Sequence, residues 1–236
     1  MKPGWLIEYL WGEPFLAVYL LAVIFSLWKY RKYYDTPLRF LPVLLMYTLL
    51  TELMGMIIRD NAEYSLNLTE FYFNNNWLIF NIYNLIFFLY FLYVYRLYLQ
   101  RDRWKKIAWA GTAVFVLTSG INALMEDFRI VSQLYSYTVG GLWMILLSGA
   151  YLYQQWKLRF QIPQRRNLLV WISLGILVFY TGYLPIKYLR FSIVTMDSDA
   201  SLALLRTFHL GLIYFMYGSF LLGFLLLKRM KKPQGS

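Results

Sequence analysis

The stretch that decides the fold is Tyr47–Arg59, YTLLTELMGMIIR. It closes an apolar run that begins near Leu38, and about 20 such residues carry a helix across a bilayer. A carboxylate stands inside it: Glu52, seven residues short of Arg59, or about 10 Å along a helix. A charge inside a span costs about 2.5–3.5 kcal/mol on insertion scales, so such a residue is expected to face a partner or a water-filled space. Thr48, Glu52, Gly55 and Arg59 fall at i, i+4, i+7 and i+11, which is one face of a helix. The other spans must supply what lies opposite that face.

Composition places the whole chain in the same setting. Its 236 residues are 60% hydrophobic and 15% charged, whereas soluble domains run at roughly 45–50% apolar and about 25% charged. The surplus apolar surface implies a lipid bilayer as the surrounding medium. A net charge of +11 would suggest nucleic acid in a soluble protein. Here the basic residues sit in short segments between apolar runs, where they read as topology signals and contacts for anionic headgroups. No nucleic-acid partner is expected.

Seven apolar runs follow one another, at about 15–30, 38–58, 77–98, 107–124, 130–153, 168–189 and 202–227. The sequence therefore predicts an all-α integral membrane protein, a single seven-transmembrane-helix bundle over residues 1–236. The segment before Pro14 lacks the basic start and small-residue cleavage site of a signal peptide, so the first span is expected to be retained, with Trp5–Trp11 at the interface. Basic residues split 17 to 6 between alternate connections. The heavier side holds Lys29–Arg39, Arg96–Lys106, Lys157–Arg166 and the tail from Lys228. Positive residues stay inside, so the N-terminus is expected outside and the C-terminus in the cytoplasm of a cell-membrane protein.

Several chemistries drop out. With no cysteine, disulfides, thiolate nucleophiles and thiolate-bound metals are excluded. A single histidine, His209, rules out multi-histidine iron clusters and bis-histidine haem within one chain. The middle of the last span, Ile213–Tyr217, has no lysine for a retinal Schiff base. No HExxH, glycine-rich phosphate loop or pair of intramembrane aspartates is present. No cofactor is expected, and catalysis is not favoured.

The polar residues within the spans concentrate toward their outer ends. Glu52 lies in the second span, Asn81 and Asn84 in the third, Asn122 in the fourth and Tyr137 in the fifth. Tyr183 and Lys187 share a stripe of the sixth, with Pro185 nearby, and Arg206 and His209 open the seventh. This depth pattern predicts a polar cavity opening outward, with these nine residues as its candidate ligand-binding set. Such groups also commonly just hydrogen-bond neighbouring helices at about 0.6 kcal/mol each, and cations at span ends snorkel. Glu52 is too short to snorkel from its depth, and an ion-pair clasp with Arg206 or His209 is the expected arrangement.

The resulting expectation is a receptor-like or accessory bundle. It would bind a small or lipidic ligand from the outer side, or a partner membrane protein. Two alternatives use the same residues. One is a membrane enzyme acting on a lipid or isoprenoid substrate, with Glu52 as general acid. The other is a transporter or proton path through Glu52 and His209. Asn67-Leu68-Thr69 fits a glycosylation sequon.

Overall fold

Helix periodicity and end signals account for most of the architecture. The computed structural model describes residues 13–60, 77–158, 166–193 and 199–230. Seven α-helices occur among them: α1 (Pro14–Trp28), α2 (Leu41–Asp60), α3 (Trp77–Tyr98), α4 (Asp102–Met125), α5 (Leu134–Leu158), α6 (Leu168–Ile193) and α7 (Asp199–Leu226). No strand is present among the described residues. The sequon and Trp5–Trp11 lie outside them, and the side chain of Arg59 is not described.

Local chemistry sets several of the boundaries. Pro14 opens α1, a position where its missing N–H costs nothing. Asn167 caps α6, its Oδ1 accepting from the Leu169 N–H at 3.1 Å while its Nδ2 donates to the Tyr151 hydroxyl of α5 at 2.9 Å. Asp102 places an acid in the first turn of α4, favourable at the positive end of the helix dipole. That helix consequently starts five residues before the apolar run. α5 begins at Leu134 and not near Ile130 because residues 126–133 form a turn, with Asp127 Oδ1 accepting from the Arg129 N–H at 2.9 Å.

Five helical segments are long and apolar enough to cross a membrane: Pro37–Ile58, Trp77–Tyr98, Asp102–Met125, Leu168–Leu189 and Ala203–Leu226. The first and fifth expected spans differ from these. α1 is apolar but has 15 residues, about 22 Å of helix against a hydrocarbon core of about 30 Å. α5 has 25 residues, but serine, tyrosine, glycine and glutamine dilute its hydropathy. Most of these polar or small residues are turned inward: Ser136, Tyr137, Gly140, Gly141, Ser148 and Tyr151 are all buried.

The helices pack as a ring. α1 contacts α2 and α7, α2 contacts α3, α3 contacts α5, α5 contacts α6, and α6 contacts α7. α4 lies outside the ring against α3 and α5. Only 22% of its apolar window is buried, against 50% for that of α2, so most of its surface suits lipid. Trp109, Leu117, Ile121 and Leu124 are exposed there. Small residues permit the closest approaches: a Cβ on Gly175 of α6 would stand 2.8 Å from the Met216 carbonyl oxygen of α7, and one on Gly140 of α5 would meet the Phe88 ring of α3 at 2.5 Å.

At the end of the ring where α1 finishes and α7 finishes, the chain is tied to itself. Lys32 Nζ donates to the Leu227 carbonyl at 2.9 Å, and the Met230 N–H donates to the Lys32 carbonyl at 2.9 Å. Arg229 and Asp35 pair at 3.6 Å across the same contact. Tyr33 is fully buried beneath it and donates to the Ser26 carbonyl at 2.7 Å.

Candidate functional site

The face that begins with Thr48 and Glu52 looks into the ring. Glu52 and Gly55 of α2 line a cavity of about 230 Å³ together with Glu13 and Phe15 of the α1 start, Phe80 of α3, and Arg206, His209 and Ile213 of α7. Three of the expected site residues, Glu52, Arg206 and His209, are thus brought together. α1 runs antiparallel to α2 and parallel to α7, so the first turn of α1 meets the last turns of α2 and the first of α7. The cavity therefore lies at the end of the bundle opposite the Lys32–Leu227 tie.

The ion pairing differs from the expected clasp. Arg206 Nη2 stands 3.2 Å from Glu13 Oε1, and no ion pair joins Glu52 to Arg206 or His209 among the described residues. The reason is position along the axis. Arg206 sits one turn nearer the helix start than His209, level with the residue that precedes Pro14, and its long side chain turns toward that rim. Glu13 is the more buried partner, with 19% of its side chain exposed against 60% for Arg206. Glu13 escaped the sequence reading because it precedes the first apolar run and has no periodic relation to the other acids.

His209 is oriented by aromatic stacking. Its ring lies 4.2 Å from that of Tyr183 at 25°, and Tyr183 stacks on Phe179 at 5.2 Å and 24°. Tyr183 also meets Tyr137 edge-on at 5.7 Å, and Lys187 Nζ sits 3.6 Å from the Tyr137 ring centroid. A cation against a ring face in a part-buried place is an attractive arrangement of about 0.5–2 kcal/mol. Tyr137, Tyr183 and Lys187 therefore form a wall behind His209; they are not among the residues lining the cavity.

The three expected asparagines belong to a different structure. Asn81 Nδ2 donates to the carbonyls of Phe128 and Val131 at 2.9 and 2.8 Å, and its Oδ1 accepts from the Gln133 N–H at 3.3 Å. Asn122 Oδ1 accepts from the Ser136 N–H at 3.1 Å and from Ser136 Oγ at 3.2 Å, while its Nδ2 donates to Glu126 Oε2 at 2.7 Å. Both side chains are buried and hold the turn between α4 and α5. Asn84 lines a void of about 20 Å³ beside Asn81, Gln133 and Tyr137, room for about one water-sized group.

The cavity has a closed floor. One turn deeper than Phe15, Glu52, Phe80 and Ile213 stand Tyr19, Thr48, Tyr83 and Tyr217. The Thr48 and Tyr83 hydroxyls are hydrogen-bonded at 3.0 Å, and the Tyr19 and Tyr217 rings approach to 4.4 Å at 67°. Tyr19, Thr48 and Tyr217 are buried. Below them Phe87, Phe91 and Tyr95 continue the packing, with ring centroids 4.8 and 6.3 Å apart. A small molecule reaching Glu52 from the Arg206 end meets two acids, one guanidinium and one imidazole above an aromatic and hydroxyl base. Such a site can hold a polar head of either sign with an apolar body against Phe15, Phe80 and Met56. Among the described residues no cluster of three metal-binding side chains occurs. Comparison with known protein families, with curated proteins and with solved structures finds no match for this chain.

Proposed function

We propose that the chain is a seven-crossing bundle of the cell membrane, N-terminus outside, that binds a small or lipidic ligand in its outer-end cavity as a receptor-like or accessory protein. The observation that carries this reading is the convergence of Glu52, Arg206 and His209, from two helices far apart in sequence, on one cavity of about 230 Å³. Charged groups in membrane helices are costly unless they line a polar space with a use. Glu13 joins the binding set in this reading, Tyr137, Tyr183 and Lys187 back His209 from outside the cavity, and Asn81, Asn84 and Asn122 leave it for the α4–α5 turn and the void beside it. Seven crossings are favoured by α5, whose polar residues are buried against α3 and α6, and by α1, which closes the ring between α2 and α7.

The tyrosine floor favours binding over transport. A path through the ring would have to part four buried or part-buried groups from four helices, and below them the Phe87 and Phe91 rings pack with centroids 4.8 Å apart. The test is native mass spectrometry of the full-length protein released from its own membrane in mild detergent. A bound mass is expected on the parent protein and on Asn84→Ala, and is expected to be lost in His209→Ala and Arg206→Ala. Equal retention by all four proteins would remove the cavity from consideration.

A further inference from the structure

A second cavity lies at the opposite, basic end of the bundle. It has about 260 Å³ and is formed where α4 begins and α5 ends, by Arg101 and Trp104 on one side and Tyr153, Gln154 and Lys157 on the other. It shares no residue with the Glu52 cavity. We propose that this cavity binds the phosphate-ester headgroup of an anionic phospholipid.

The site is held in shape from below. Gln154 Oε1 accepts from the Gln100 N–H at 2.9 Å, and its Nε2 donates to the Tyr98 carbonyl at 3.3 Å. One α5 side chain thus fixes the connection between α3 and α4 and, with it, the position of Arg101. Lys157 Nζ is steadied 4.7 Å from the centroid of the Tyr153 ring, which stacks on Trp156 at 6.2 Å. The only acid of the segment, Asp102, lies 3.9 Å from Lys105 on its own helix.

The chemistry selects a phosphate ester. A guanidinium pairs two phosphate oxygens at once, and a lysine supplies a second point charge. A volume of about 260 Å³ falls below the roughly 300–1,000 Å³ of sites that enclose a drug-sized molecule, which suits a headgroup whose chains remain outside. Trp104 and Tyr153 place interfacial aromatics at the rim, and basic clefts between helices at this level are where anionic headgroups settle. A free organic phosphate would use the same two cations, so the source must be separated by experiment.

The full-length protein in detergent is titrated with phosphatidylglycerol, phosphatidylcholine and soluble glycerol phosphate, and bound ligand is read by native mass spectrometry. Phosphatidylglycerol is expected to bind preferentially. The double variant Arg101→Gln with Lys157→Gln is expected to weaken it about 30-fold, from about 1 kcal/mol for each cation. Lys106→Gln, exposed on the same helix and outside the cavity, should leave binding unchanged. Both altered side chains are exposed, so the melting temperature should not move. Equal binding of phosphatidylcholine, or equal loss in Lys106→Gln, overturns the site. Glycerol phosphate binding as tightly as the lipid would overturn the assignment to a membrane source.

Discussion

At the scale of single residues, Glu52 and Asn122 show how two polar side chains in similar sequence settings take different work. Asn122 is buried with three hydrogen bonds, two of them to Ser136 at the start of α5. Asn122→Ala leaves the buried Ser136 N–H without its acceptor, a loss of about 1–3 kcal/mol, and the melting temperature in detergent should fall measurably. Glu52 is part-buried, lines a cavity and makes no ion pair with Arg206 or His209. Glu52→Gln should therefore melt close to the parent while losing the ligand bound in the native mass spectrum. Removing one member of a buried ion pair costs about 3–5 kcal/mol, so a loss of that size would show that Glu52 is a structural charge after all.

At the scale of elements, close helix approach is set by the residues with the least to say in a hydropathy plot. Membrane helices gain nothing from hydrophobic burial against one another, so their association rests on contact made possible by small side chains. Gly175 is the sharpest instance, because what a Cβ would meet is backbone: the Met216 carbonyl oxygen at 2.8 Å and its Cα at 3.1 Å. Gly175→Ala must move α6 and α7 apart and is expected to cost about 1–3 kcal/mol. Gly211→Ala, with nothing within 4 Å, is the matched control on α7. Melting curves of the two variants should diverge, and overlapping curves would show that the α6–α7 contact yields freely.

At the scale of the whole molecule, the ring of six helices with α4 outside it makes two ends of unlike chemistry. One end holds Glu13, Glu52, Arg206 and His209; the other holds Lys32, Arg101, Lys157 and Arg229. In the proposed orientation, argued from the loop charges, the first end faces outside. With no native cysteine, single replacements report this directly. Arg129→Cys, exposed in the turn between α4 and α5, should react with a membrane-impermeant reagent in intact cells, and Lys106→Cys, exposed near the start of α4, should react only after lysis. The reverse pattern would invert the molecule and place the anionic-lipid cavity on the other leaflet.

The sequence by itself determined the helical, membrane-embedded class, the approximate limits of the apolar runs and the face of α2 that carries Glu52. These follow from local quantities: run length, hydropathy and a 3.6-residue period. It also singled out Glu52, Arg206 and His209, because a charge in an apolar run is rare enough to stand out alone. Pairing was beyond it. That Arg206 meets Glu13, that Asn81 and Asn122 fasten a turn, and that Tyr19, Thr48, Tyr83 and Tyr217 close a floor depend on which helices are neighbours and at what height. Tyrosines at 22 of 236 positions carry no mark separating a floor from an interfacial belt. Only the tertiary structure decides that, since a side chain's partner is set by the axial register of helices separated by up to nearly 200 residues, a relation that no local pattern in the chain encodes.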